Sequence, residues 1–396
     1  MLSKTINDKY IIFLEGRIDS VNAQSVENEL EHLIETHENI ELNAEKLEYI
    51  SSAGLRVLLK LKKKNKGTLT ICDVSSEVYE ILEVTGFTEI LNVNKKLRQI
   101  SIDGCEKIGQ GGNGTVYRLD SDTIIKVYNK GNSLDKIAEE KKYATEAFKY
   151  GIPTAISFDT VKVGEQYGIV FEMLNARTVG EAVSDNPQKT EEYGILMGRL
   201  LKLIHETETA DNILPKMSDK ISGWIDYLEE HYINHEDAEL MREVLHNIPE
   251  SNHFTHCDFH EGNVMIQNDE LILIDLDDIA TGHPIYDLTF NYMSHVIAAQ
   301  SSPQAIKRSL KMSPELALEI RKVILKTYFD TSDETVIQKY EQAIAAFSPF
   351  LLMLTPAKSK NSENLPPDIA KQLIEFILPK FKAVAKVLPS LVQVFD

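Results

Sequence analysis

With 396 residues the chain exceeds what one ordinary hydrophobic core organises, so two or three domains are expected. Its 43% hydrophobic and 26% charged residues are the mix of a soluble globular protein, and its formal net charge of -19 argues against binding the phosphate backbone of nucleic acids. Three scattered cysteines (Cys72, Cys105, Cys257) suit a reducing cytoplasm better than a disulfide framework, no apolar run is long enough to cross a bilayer, and "MLSKTINDKY" lacks the apolar stretch of a secretory signal.

In chain order, "YIIFLEGRID" reads as a strand, "NAQSVENELEHLIETH" as a helix and "NIELN" as a short strand. A helix starts near "SSAGLRVLLKLKKK", followed by a strand "GTLTICD" and a helix "SSEVYEILEVTG". Strands alternating with amphipathic helices predict an α/β domain of about one hundred residues. The organisation changes near "NVNKKLRQIS", which places a first domain at 1–97 and a second at 98–396. In the second, "CEKIGQGGNGTVYRLDSDTIIKVY" is glycine-punctuated and strand-like, "DKIAEEKKYATEAFKY" is helical and "YGIVFEML" is a strand. From Thr190 onward most of the chain reads as helix, interrupted by "THCDFHEGNVMIQNDELILIDLDD". The coarse result is a two-lobed α+β domain, with a small β-rich lobe over about 98–174 and a large helical lobe over about 175–396. "TPAKSKNSENLPPD" reads as a polar loop between helices.

The segment "HFTHCDFHEGN" admits two readings. His253, His256, Cys257 and His260 have the chemistry of metal ligands, but they follow none of the common spacing rules and no second Cys/His cluster exists to close a site. Alternatively, Asp258 and Asn263 have the separation of the kinase catalytic loop, H-x-D-x-x-x-x-N. A short strand pair, "VMIQNDELILID", then delivers Asp275. Phosphoryl transfer needs one carboxylate to take the acceptor's proton, and an amide oxygen plus a second carboxylate to hold Mg²⁺. An Asp-rich loop in an ordinary helical domain is the bland alternative.

Upstream, Gly109, Gly111 and Gly114 have G-x-G-x-x-G spacing. They lie between strand-like segments, not before a helix, which favours a hairpin over phosphates against a dinucleotide-binding turn. Lys126 lies inside the apolar strand "TIIKVY". A lysine there is costly unless its ammonium meets an anion or snorkels at a sheet edge. The next helix offers Glu139 and Glu140, and Glu140 fits better because the apolar residues then share one face.

These motifs, together with "GRLLKLIH" ending at His205 and "HPIYDL" carrying Asp287, resemble the aminoglycoside phosphotransferase and choline kinase-like branch of the protein-kinase-like fold from about residue 100 to 396. The resemblance implies ATP and Mg²⁺ as cofactors, with adenine on the backbone of Glu172 to Leu174. Lys126, held by Glu140, would contact the α and β phosphates. Asp258 would be the base, and Asn263 and Asp275 the metal ligands. His256 and Asp287 would brace the loop, and His260 would be structural. Cys257 stands where this branch often has glycine, and Glu261 replaces a frequent proline, a change expected to be tolerated. The short segment between Asp275 and Asp287 leaves no room for a long activation loop, which favours the small-molecule branch.

In the first part, Ser51 and Ser52 begin the helix of "LEYISSAGLRVLL". Serines there cap helices, and a helix start also favours phosphate. Together with "LEGRID" and "VSSEVYEILEVTGFTEIL", the segment from about 5 to 93 resembles the STAS domain of bacterial anti-sigma factor antagonists. In that family a serine two residues before the glycine is phosphorylated by a partner kinase; here it is Ser52, two before Gly54, although Ser51 replaces the usual aspartate. The basic run "LKLKKKNKG" is expected to be a solvated face, or else a docking face.

The expected function is ATP-dependent transfer to a hydroxyl on a small molecule or a protein serine, coupled to a regulatory STAS domain, in a cytoplasmic protein without nucleic-acid or membrane partners. The alternative is a partner-switching module that binds an anti-sigma factor or partner kinase, its kinase-like domain acting as a nucleotide sensor. A narrower idea joins the two: phosphorylation of Ser52 by the same chain.

Overall fold

The computed structural model describes residues 2–6, 9–34, 37–359 and 365–395. The chain divides into two compact units, Met1–Ile100 and Ser101–Asp396.

The first unit is built on a five-stranded sheet in sequential order: β1 (Ser3–Ile6), β2 (Lys9–Ile18), β3 (Ile40–Ile50), β4 (Leu69–Val74) and β5 (Asn92–Lys95). β1 and β2 form an antiparallel hairpin, and β2 to β5 run parallel. Parallel neighbours need crossovers, supplied here by the helices α1 (Ala23–Ile34), α2 (Ser52–Lys64) and α3 (Ser76–Val84), the last followed by the short helix α4 (Phe87–Ile90). β3 is far longer than "NIELN". It continues through "AEKLEYI", where Leu47 and Ile50 are buried after Ile40, Leu42 and Ala44. The alternation of buried residues slips between Ala44 and Leu47, at a register shift against β2, and this hid the continuation. The basic run on α2 has partners: Lys60 lies 2.7 Å from Glu27, and Lys64 lies 2.5 Å from Glu31, both on α1. Gly54 sits where α2 meets the sheet, and a Cβ there would fall 2.7 Å from the Ile50 side chain.

The second unit opens with antiparallel strands in the order β9–β10–β8–β7–β6, namely β6 (Glu106–Gln110), β7 (Gly114–Arg118), β8 (Thr123–Tyr128), β9 (Ser157–Val163) and β10 (Gln166–Glu172). β9, "SFDTVKV", has no strand expectation behind it; its pairing with β10 defines it. Helix α5 (Leu134–Lys149) follows β8, capped by Ser133 and burying Ile137, Glu140, Ala144 and Ala147.

The remainder is largely helical. Helices α6 (Val179–Asp185), α7 (Thr190–Glu206), α8 (Met217–His231) and α9 (His235–His246) precede the His253–Asn263 segment, and α10 (Ile285–Tyr292) follows it. Their core includes Met197, Leu201, Ile221, Phe254, Phe347 and Phe381, none with appreciable exposure. Two small sheets punctuate the helices. One pairs β11 (Arg177–Thr178) with β13 (Val264–Gln267) and β14 (Glu270–Leu273). The other pairs β12 (Phe254–Thr255) with β15 (Ala280–Thr281). Within "TPAKSKNSENLPPD", Thr355–Lys358 forms a helical turn and residues 360–364 lie outside the described residues. Among the described residues no helix is long and apolar enough to cross a membrane.

Candidate active site

Lys126 occupies the middle of β8, between the buried Ile125 and Val127. Its Nζ lies 2.9 Å from Glu140 on α5, 2.8 Å from Asp275 and 2.7 Å from Asp277. Glu139 is exposed and Glu140 is buried. Burial works to neutralise the lysine, but the three carboxylates outweigh it and hold the ammonium charged. Burial, then a hydrogen bond with Asp277, pushes Glu140 up to about 8. Asp277 goes the other way: against its own burial, Glu140 and Lys126 hold it well below the usual carboxylate range. Asp275, whose side chain is 45% exposed, is pushed up to about 6 by desolvation, with Asp277 adding to the push and Lys126 opposing it. Asp275 alone is the second carboxylate the sequence suggests; Asp277, two residues on, joins it because the left-handed turn at Asp275 brings both to Lys126.

The glycine-rich hairpin joins β6 to β7, and Gly111 N–H donates to Gly114 O at 2.9 Å. Only Gly114 is demanded by packing: a Cβ there would lie 2.4 Å from Val127 O. Gly109 has ordinary space, and Gly111 stands in the open, so the hairpin backbone is left bare. Asn113, at its tip, donates to Asp277 at 2.5 Å.

The loop His256–Asn263 lies between β12 and β13. The β13–β14 hairpin turns at Asn268 and Asp269, both at positive φ, as a two-residue turn requires. It pairs Val264 with Leu273, and Ile274 N–H donates to Asn263 O at 3.0 Å. This pairing is why Asn263 and Asp275 leave the hairpin at the same end. Asp258 is 51% exposed, and its Oδ2 accepts from Asn263 Nδ2 at 3.0 Å. His260 accepts from Gly262 N–H through Nδ1, and its Nε2 lies 3.7 Å from Asp258. Burial is the chief reason His260 is shifted below its ordinary value.

Cys257 has φ of 62°, the left-handed region that favours glycine. That is the physical reason glycine is at home here, and for cysteine the conformation costs about 1–2 kcal/mol. Asp287 holds the strained turn. Its carboxylate accepts from Cys257 N–H at 2.5 Å and His256 N–H at 2.7 Å, and lies 3.0 Å from His205 Nε2. His205 is fixed in turn by Tyr328 OH at 2.8 Å. Asp287 is fully buried, yet His205 and these N–H groups keep it below the usual carboxylate range. The His256 ring does not share in the brace: both ring nitrogens are buried with no hydrogen-bond partner among the described residues, and the ring packs edge-on against Phe259. Burial pushes the Cys257 thiol up to about 12, which makes it an inert core group. Among the described residues the histidines and cysteine of this segment form no cluster able to hold a metal; Glu140, Asp275 and Asp277 do.

At the expected hinge, Glu172 N–H donates to Ile156 O and Met173 N–H to Asp122 O. Leu174 is buried, and no hydrogen bond among the described residues uses its N–H. In the first unit, the Ser51 side chain caps α2 by accepting from Gly54 N–H at 3.4 Å, while Ser52 is exposed on the first turn.

The family model of the phosphotransferase enzyme family matches residues 104–308, more than half of the chain, and the STAS domain model matches residues 2–100. BtrV of Bordetella bronchiseptica, a candidate anti-sigma factor antagonist, is 37% identical over 92 residues, covering 22% of this chain and 79% of its own. Among solved structures, a choline/ethanolamine kinase family protein from Mesorhizobium loti is similar with a TM-score of 0.47 at 15% identity, covering 74% of this chain and 92% of its own. An ADP-bound aminoglycoside phosphotransferase of the 2''-Ib type has a TM-score of 0.48 at 13% identity, covering 79% of this chain and 99% of its own. The chain belongs to the phosphotransferase enzyme family. Ahead of the phosphotransferase region it carries a STAS domain related to the anti-sigma factor antagonists.

Proposed function

We propose that the chain transfers the γ-phosphoryl group of ATP to a hydroxyl acceptor, and that its STAS domain couples this activity to a protein partner. The observation that carries the proposal is the convergence of Lys126, Glu140, Asp275 and Asp277 in the same unit as a braced Asp258–Asn263 loop. The residues suit a divalent cation: carboxylate oxygens of Glu140, Asp275 and Asp277 lie within 4.8 Å of one another. Asn263 adds an amide oxygen, because its Nδ2 is committed to Asp258. Asp275 and Asn263 would hold Mg²⁺, whose chemistry is to neutralise charge on the transferring phosphates.

Lys126 binds the α and β phosphates, and Glu140 fixes its direction. The turn between Gly111 and Gly114 presents backbone N–H groups to phosphate oxygens, and Gly109 and Gly114 lie in the strands that flank it. The hinge at Glu172 to Leu174 receives the base, with the Leu174 N–H as donor. Asp258, half-exposed, orients the acceptor hydroxyl and takes its proton. The short segment from Asp275 to Asp287 favours a small-molecule acceptor. Ser52 is the phosphoacceptor candidate of the STAS domain, since capping occupies the Ser51 hydroxyl and leaves that of Ser52 exposed. An anti-sigma factor is the kind of partner the relationship to anti-sigma factor antagonists supports. Three free thiols are in keeping with a cytoplasmic protein.

The test is incubation with Mg²⁺-ATP, comparing wild type with Asp258→Ala by phosphate release, intact mass and phosphopeptide mapping. Turnover in wild type that is lost in the variant is the expected result. A phosphate on Ser52 that also disappears would make the chain its own acceptor; no turnover in wild type would sink the enzyme reading.

A further inference from the structure

Glu261 lies between Asp258 and Asn263 in sequence, where its replacement of a frequent proline is expected to be tolerated. It is fully buried, and so is His295, which sits on a π-helical turn (Met293–Ile297) continuing α10. His295 Nε2 is 2.9 Å and 3.1 Å from the two carboxylate oxygens of Glu261. Its Nδ1 is 2.8 Å from Asn291 O and 3.0 Å from Ser294 Oγ, and the Ser294 hydroxyl donates to that same carbonyl. The Asn291 carbonyl can only accept, so Nδ1 carries hydrogen, and contacts at both ring nitrogens fix the direction in which Nε2 meets Glu261. Burial alone would raise the Glu261 carboxyl, but the His295 charge and hydrogen bond hold it below the usual carboxylate range. Glu261 also acts on Arg321, whose buried guanidinium pairs with Glu341.

The loop is gripped on both sides of this pair. Asn291 Nδ2 donates to Phe259 O at 3.3 Å, and Gly180 N–H, at the start of α6, donates to Glu261 O at 3.2 Å. A Cβ on Gly262 would fall 1.9 Å from Ser309 O, so the backbone is seated there with no room to shift. A buried ion pair is often matched in stability by apolar residues of the same volume; what it adds is direction.

We propose that the Glu261–His295 pair is a positioning device of the phosphotransferase site, holding the interval between Asp258 and Asn263 in register from the helical lobe behind it. The proposal rests on the roles assigned to Asp258 and Asn263 above. Glu261 and His295 touch no reacting atom; both are positioning residues, and small displacements at such a site are costly to turnover.

The experiment uses the full chain with Mg²⁺-ATP and water as the acceptor. Steady-state phosphate release, thermal unfolding and hydrogen exchange of the 253–266 segment are measured for wild type, Glu261→Gln, Glu261→Ala and the double variant Glu261→Ala/His295→Leu. Glu261→Ala is expected to lower kcat by about tenfold or more while KM for ATP stays within about twofold. Glu261→Gln, whose amide oxygen still accepts from Nε2–H, keeps most of kcat. The double variant regains thermal stability and stays slow. Recovery of kcat together with stability would mean that only an uncompensated charge mattered, and it overturns the proposal, as does an unchanged kcat in Glu261→Ala. Absence of turnover in wild type removes the phosphotransfer reading instead. Hydrogen exchange then decides the remainder: faster exchange confined to the loop in Glu261→Ala supports the grip, and unchanged exchange overturns it.

Discussion

The two units carry their candidate phosphoryl chemistry on contrasting scaffolds. In the STAS domain, Ser52 is exposed on the first turn of a conventionally capped helix, on relaxed backbone. In the phosphotransferase unit, Cys257 and Asp275 both stand at positive φ, and Lys126, Glu140, Glu261, His295 and Asp287 are charged or ionisable groups largely removed from water. A site modified by another site needs only accessibility. A site that performs transfer must keep several groups at fixed separations, and strain and buried charge persist only where the surroundings over-determine them.

The largest effects separate two carboxylates of the loop region. Asp258→Asn is expected to reduce turnover by about 10²–10⁴-fold, the range of a lost general base, with the melting temperature unchanged because the side chain is half-exposed. Asp287→Asn should instead cost stability, about 3–5 kcal/mol, because an amide cannot accept from His256 N–H, Cys257 N–H and His205 together. Denaturant unfolding of both variants checks this; similar stability losses would erase the distinction. The Asp287 contribution also has a defined pH sense. Its pKa is depressed in the fold, so its contribution is fully present above the ordinary aspartate value near 3.8 and is lost as pH falls through the lower folded value. Wild type should therefore lose stability on acidification below that point more steeply than Asp287→Asn.

A smaller effect probes the strain. Cys257→Gly should change stability by no more than about 1 kcal/mol, since relief of the left-handed conformation offsets the lost thiol packing. Cys257→Val should be clearly worse, because a β-branched residue tolerates that backbone least. Equal melting curves for the two variants would show that Asp287 does not restrain this turn.

The smallest effects belong to the STAS helix. Ser51→Ala should cost about 1 kcal/mol, the loss of an N-cap, and leave any phosphate on Ser52 in place. Ser52→Ala should cost less than about 0.5 kcal/mol, as expected for an exposed site, and abolish that phosphate. Phosphopeptide mapping of both variants reads the difference, and a phosphate that follows Ser51 would reverse the assignment.

What could be read along the chain was local. The alternating strands and helices of the STAS domain followed from hydrophobic period, and the family motifs "HCDFHEGN", "LILIDLDD" and "GQGGNG" carried the phosphotransferase resemblance. A lysine in an apolar strand raised its own question, because an ammonium there needs an anion. The answer was half visible in Glu140, fourteen residues away, and half hidden in Asp277, 151 residues away. The extent of β3 was obscured by a bulge, and β9 by its mixed polar composition.

The sequence by itself determined the fold class of both parts and the chemical types available at the site, because periodicity and short motifs act over a few residues. Tertiary structure alone decided which groups meet: Asp287 with His205 across 82 positions, and Glu261 with His295 across 34. It also decided that the Asp287 carboxylate braces the loop through backbone N–H groups, while the His256 ring packs on Phe259 and takes no part in the brace. These contacts depend on helix packing that brings distant segments together in a dry interior, where an unpaired charge is costly and each ionisable group takes its state from neighbours the local sequence does not name.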